Sequence, residues 1–424
     1  MSQIRVTTLD NGLRIASDPI TTVETASVGV WIEAGSRYET SSNSGVSHLL
    51  EHMVFKGTRR RDARAIAEEI EAVGGHINAH TSREYTAFYA KVLKDDVGLA
   101  LDVIADMVQH SLLDAAELSR ERTVVIQEIM QAHDTPDDII FDRFQATAFP
   151  DQPIGRSVLG SAELIDDMSR DVLVRYMLEN YGAGRMIVAA AGNVDHDRLV
   201  DLAQAAFDHL PHSATPMWEK AQYRGGEWRE ERDLEQIHLV LGFPSIAYHD
   251  PKFYAMSVLS TLLGGGMSSR LFQEVREKRG LVYSIYTFPA TYSDTGLFGI
   301  YAGTGTDTVG ELVPLICDEL LDVTRHVGDT EVSRARAQLK SGILMSLEST
   351  SARCEQLARQ LMVFGRPIPV SETVAKIDAV DASAARDVAA QVFGGPPTLA
   401  ALGPMGTLPV CDAIADRLSS IVAA

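Results

Sequence analysis

Apolar and polar positions alternate at the start of the chain from Ile4 to Thr8, pass through Asp10-Asn11-Gly12, and resume from Leu13 to Ala16, which predicts a β-hairpin. The run 25-TASVGVWIEAG-35 predicts a further strand. In 44-SGVSHLLEHMVFKG-57 the spacing changes: Val46, Leu49, Leu50 and Met53 recur at helical intervals and form one apolar stripe. Ile66, Ile70 and Val73 repeat that pattern in 63–75, and Gly74-Gly75 ends it. The aromatic, β-rich 84-EYTAFYAKV-92 predicts a strand. Mostly helical sequence follows to about Tyr181, then a buried strand at 186–194 and a helix at 195–210.

Two segments recur at nearly one offset. The outline of 95-DDVGLALDVI-104 returns as 307-DTVGELVPLI-316, each after an aromatic strand, 84–92 and 296–304. Likewise 189-AAAGNVDHDRLVDLA-203 resembles 400-AALGPMGTLPVCDAI-414. Two independent matches argue for a duplicated unit. The expected fold is therefore α+β, with homologous tandem α/β-sandwich domains at 1–212 and 233–424 and a Pro/Gly-bearing linker at 213–232.

Composition narrows the class. Of 424 residues, 45% are hydrophobic and 23% charged, as in a globular protein, and no apolar run approaches the roughly 18 residues of a membrane span. A formal charge of −20 argues against a nucleic-acid footprint and favours basic partners. Cys317, Cys354 and Cys411 form no CxxC pair, so a disulfide framework or thiolate zinc site is not expected, and a reducing compartment fits. The start, MSQIRVTTLDNG, lacks the pattern of a secretory or transit segment. The expected location is a cytoplasm.

The densest chemistry lies on the first predicted helix. His48, Glu51 and His52 share the side opposite its apolar stripe. Histidines at i and i+4 can hold one zinc ion, and the glutamate between them can take a proton from a water on that ion; HxxEH is the inverzincin order. A catalytic zinc needs a third protein ligand. Glu121 and Glu128, two helical turns apart, are both candidates, one to bind metal and the other to orient a histidine; spacing does not choose between them.

The segments 41-SSNSGVSHLLEHMVFKGT-58 and 74-GGHINAHTSREYTAFYAKV-92, with Glu128 76 residues beyond His52, resemble the pitrilysin family of zinc metallopeptidases, and within it the processing-peptidase branch and its bacterial relatives. The similarity runs from TTLDNGLRIAS through 153-PIGRSVLGSAELI-165 to 262-LLGGGMSSRLFQEVREKRGLVYS-284, nearly the whole chain. The resemblance implies that His48, His52 and Glu128 hold one zinc ion per chain, that Glu51 is the base and that Glu121 supports the ligands. It implies substrate contacts at Asn78 and Ala79, on a strand that pairs with an extended peptide, and at Arg276 and Tyr283. Asp138 and Asp142 match acids that receive the arginine preceding the cleavage point, Asp138 standing where relatives tend to have glutamate. It further implies a four-domain clamshell, reached by pairing as a homodimer or with a sister subunit, in which Arg276 and Tyr283 serve the zinc domain of the other protomer. The expected activity is zinc-dependent endoproteolysis of unfolded, basic, presequence-like peptides in a closed chamber. The rival expectation is a non-catalytic scaffold or partner subunit.

Overall fold

The computed structural model describes residues 4–211 and 218–421. The chain forms two compact units. The first takes residues up to Gln131, Arg156–Glu219 and Met345–Pro367; the second takes Ala132–Gly155, Lys220–Leu344 and residues from Ile368 onward. Each unit thus borrows a segment from the other half of the chain, which a division at the 213–232 linker does not foresee. That linker lies partly outside the described residues, at 212–217.

The first unit is built on six strands: β1 (Arg5–Thr8), β2 (Arg14–Pro19), β3 (Thr25–Ile32), β4 (His76–Thr81), β5 (Thr86–Leu93) and β6 (Met186–Gly192), in the order β1-β2-β6-β3-β5-β4. β6 shows why the sheet is covered on both faces. All seven of its residues are buried, and their alternation sends Met186, Val188 and Ala190 to one core and Ile187, Ala189 and Ala191 to another. Against the first face pack α1 (Val46–Val54), through Val46, Leu49, Leu50 and Met53, and α3 (Val97–His110), with α2 (Ala63–Glu71) between them in sequence. Against the second lies the borrowed helix Thr350–Phe364, whose Cys354, Leu357, Ala358 and Leu361 meet Trp31, Ala87 and the β6 residues. α4 (Ala115–His133) follows α3.

The second unit has five strands: β7 (Gly226–Glu230), β8 (Ile237–Ser245), β9 (Val282–Thr291), β10 (Gly296–Thr304) and β11 (Thr398–Leu402), ordered β7-β11-β8-β10-β9. Its borrowed element is α5 (Pro136–Ala148), which lays Ile140, Phe144 and Ala148 over Val240, Ala400 and Leu402. The run β11-β8-β10-β9 repeats β6-β3-β5-β4, and the helices Val309–Arg325 and Cys411–Leu418 answer α3 and His196–Phe207. The internal repeat is therefore a repeat of structure, with the β1 strand as an addition to the first copy. Among the described residues no helix is long and apolar enough to cross a membrane.

Candidate metal centre

α1 begins without a side-chain cap of its own. Its first position outside the helix is Gly45, at φ 92°, where a Cβ would stand 2.8 Å from the Leu159 carbonyl oxygen, so glycine is required. Glu39 supplies the missing acceptor: its two carboxylate oxygens receive the Gly45 and Ser47 N–H groups, each at 2.8 Å. Ser47 also donates to the Tyr176 hydroxyl at 2.7 Å, which donates to the Gly35 carbonyl at 3.2 Å. Glu39 is buried, and burial pushes its carboxyl up to about 7 against the pull of the Ser47 and Gly45 N–H groups and of Arg156.

The helix so anchored presents its histidines to α4. There Leu118, Glu121, Val125 and Glu128 follow one another at three- and four-residue steps, with the first three buried, so the stripe that seats α4 on the core also delivers both carboxylates. Glu128 Oε2 lies 3.6 Å from His48 Nε2 and 3.5 Å from His52 Nε2. Ligands at the corners of a tetrahedron around zinc, about 2.05 Å from it, stand about 3.3 Å apart. The donor set and its spacing therefore fit that ion. Glu121 Oε2 meets His52 Nδ1 at 3.1 Å, and its other oxygen meets Lys56 Nζ at 2.8 Å. The proton of His52 is thereby held on Nδ1, leaving Nε2 as a lone pair. Burial, with the repulsion that a second protonated ring at His52 would add, lowers His48 to about 4, so its ring is neutral near pH 7 and able to ligate.

Glu51 sits one residue before His52. Its carboxyl is raised by burial and by the charge of Glu128, and held down by a hydrogen bond from Thr81 and by His52. The Thr81 hydroxyl donates to Glu51 Oε2 at 2.6 Å. Thr81 ends β4, the edge strand of the sheet, which also carries Asn78 and Ala79. Beside the start of β4, Phe55, Lys56, Ile70, Glu71, His76 and Ile77 are among the residues lining a cavity of about 360 Å³.

The remaining expected residues lie in the second unit. Asp138 and Asp142 are on α5; burial and the charges of Asp142 and Asp137 raise the Asp138 carboxyl. Arg276 lies in a wide-turn π-helical segment, Phe272–Glu277, with its guanidinium 4.7 Å from the Phe272 ring centre and 5.4 Å from that of Tyr283. Tyr283 is 75% exposed, contrary to what a bare core aromatic would show. Sequence reasoning did not find Glu39, Lys56 or Thr81. Lys56 stood one helical turn beyond His52, and Thr81 shares the alternation of Ile77 and Ala79; Glu39, six residues before Gly45, left no local signal.

Residues 14–162 match the family described as insulinase (peptidase family M16), and residues 167–339 match that described as the peptidase M16 inactive domain. An uncharacterized zinc protease of Streptomyces coelicolor is 40% identical over 99% of this chain and 93% of its own. A probable mitochondrial-processing peptidase subunit beta of Arabidopsis thaliana is 41% identical over 96% of this chain and 80% of its own. Among solved structures, a protease from Helicobacter pylori superposes with a TM-score of 0.90 over 95% of this chain and 100% of that one; at 24% identity this is a likeness of fold.

Proposed function

The chain belongs to the insulinase peptidase family, M16, and from that membership and the geometry around α1 we propose that it is a zinc-dependent endopeptidase acting on extended, basic peptides. The observation that carries the reading is the convergence of His48, His52 and Glu128 within ligand spacing while Glu121 orients His52. Zinc, when bound by these three, supplies the charge that polarises a peptide carbonyl and acidifies a water. Glu51 takes one proton from that water as its oxygen bonds to the carbonyl carbon. The proton then passes to the leaving nitrogen as the C–N bond breaks, so Glu51 ends as it began. The open side of β4 offers main-chain groups to an extended peptide, and Asn78 and Ala79 lie along it.

Asp138, Asp142 and the net charge of −20 support a preference for arginine shortly before the cleaved bond. Arg276 and Tyr283 are read as contacts to substrate, one zinc ion as the complement of each chain, and a homodimer or a pair with a sister subunit as the assembly. The relative named as a beta subunit supports that pairing. Bacterial and plant relatives support a bacterial cytoplasm or a mitochondrial matrix as the setting.

The test is cleavage of a presequence-like peptide with and without a zinc chelator, with products read by mass spectrometry. Cleavage should vanish on chelation and return with zinc. Changing the arginine to alanine should cost about 10-fold or more in kcat/KM for the wild type and little for an Asp138→Asn, Asp142→Asn variant. Equal losses in both proteins would remove the acids from the arginine site.

A further inference from the structure

We propose that Thr81 is a positioning residue that couples peptide docking to the base: its main chain faces the incoming strand while its side chain fixes the carboxylate of Glu51. This rests on the reading of Glu51 as the base.

The main-chain half follows from the ladder. Ser82 N–H bonds the Tyr85 carbonyl at 2.8 Å, and the register continues as Thr81↔Thr86, His80↔Ala87 and Ala79↔Phe88. In an antiparallel pair every second residue turns its N–H and C=O toward the partner. Ser82, His80 and Asn78 therefore spend theirs on β5. Ile77, Ala79 and Thr81 turn theirs to the open edge, where the Ala79 N–H meets Asn78 Oδ1 at 2.9 Å, the Thr81 N–H faces the Glu51 carboxylate, and a peptide strand would pair with the carbonyls. The side chains of Ile77 and Ala79 pack on the core shared with α1, and Thr81, of the same parity, meets Glu51 on that face.

The side-chain half follows from a count of protons. Thr81 has one hydroxyl proton and two neighbours that can accept it, Glu51 Oε2 at 2.6 Å and Thr86 Oγ1 at 3.4 Å. Thr86 in turn gives its own proton to the Ala34 carbonyl at 2.8 Å. The shorter, charge-assisted bond to Glu51 takes the Thr81 proton. A carboxylate at the end of a glutamate rotates softly between two equivalent settings, and this bond removes the equivalence. Oε2 becomes the fixed acceptor. Oε1 is then the oxygen turned to the water whose proton it takes, while the Thr81 N–H adds a second, smaller hold on the same carboxylate. A peptide that pairs with the Thr81 main chain thus locks the residue that aims the base, so orientation of the base improves when substrate is present.

The experiment uses the full chain with a cleavable basic peptide and compares wild type, Thr81→Val and Thr81→Ser. Val keeps shape and β preference but removes the proton; Ser keeps the proton. Thr81→Val should lower kcat about 10–100-fold with KM within about 2-fold, and Thr81→Ser should return to within about 3-fold of wild type. Zinc content should stay unchanged in both. In a Glu51→Gln background, Thr81→Val should change neither peptide affinity nor residual turnover, because the group it positions is gone. A Thr81→Val enzyme with wild-type kcat, or one that loses zinc or peptide affinity, overturns the proposal while leaving the peptidase reading standing, as does a Ser variant as slow as the Val one. A wild-type protein without zinc-dependent cleavage overturns both. Thr81→Ala takes the place of Val should the latter not fold, with the same outcomes.

Discussion

Glu51 and Glu121 are carboxylates on two sides of one histidine, and their neighbours give them different work. Glu121 is committed on both oxygens, to His52 and to Lys56, and so has nothing left with which to move a proton. Glu51 is held by Thr81, whose hydroxyl bonds one of its oxygens, and keeps lone pairs with which to take a proton. Glu51→Gln should therefore keep zinc but lose about 100–10,000-fold in turnover, whereas His48→Ala, His52→Ala and Glu128→Gln should lose the metal itself. Glu121→Gln should weaken zinc binding about 10–100-fold. Metal analysis beside a turnover assay separates these classes, and a Glu51→Gln enzyme of near wild-type rate removes the assigned base. The HxxEH helix was legible from the sequence because all its information lies within one and a half turns. The Glu121/Glu128 pair was legible only as a pair, since both occupy the same face of α4. The partners of Glu51 and Glu121 across the fold were not, because Thr81 meets Glu51 from a strand thirty residues away and only the sheet's parity aims it there.

At the scale of elements, α1 is held by a residue outside it. The chain begins the helix after a left-handed Gly45 and brings Glu39 back to the N–H groups at its start. A buried acid raised from its ordinary value near 4.5 to about 7 binds its proton more tightly in the folded chain than in the unfolded one. Its contribution to stability is fully present below about 4.5 and is lost as pH rises through about 7, a change on the order of 3 kcal/mol. Arg156 and Tyr176 are the charged and titratable groups facing it, and Arg156 does not titrate in this range. Glu39→Gln cannot follow that change and leaves one N–H group facing an amide NH₂. It should be less stable than wild type by about 1–2 kcal/mol at pH 8 and by more at pH 5, in paired denaturant titrations. A difference independent of pH would show that Glu39 does not titrate there.

For the whole molecule, the proposed pairing of two chains is one that mixed subunits can check. If Arg276 of the partner subunit completes each zinc site, Glu51→Gln and Arg276→Ala homodimers are both crippled, while a purified mixed dimer holds one site with both defects and one with neither. About half of wild-type cleavage should return. A verified mixed dimer no better than its parents rejects completion in trans. The duplicated architecture was readable in the paired segments near one offset, because each copy must build the same sheet. The exchange of helices was not, since the apolar stripe of Thr350–Phe364 reads the same whichever sheet it covers. That exchange also sets a clock. Unit one is closed by residues 345–367, which follow residue 219 only after the second unit's strands β7 to β10 have been made. At the usual pace of translation the interval from residue 219 to 345 lasts roughly 6–25 s, during which Trp31, Ala87, Ile187, Ala189 and Ala191 have no cover. The nascent chain thus carries its histidine helix long before it owns a finished sheet to mount it on, and it must be sheltered for that interval or hurried through it.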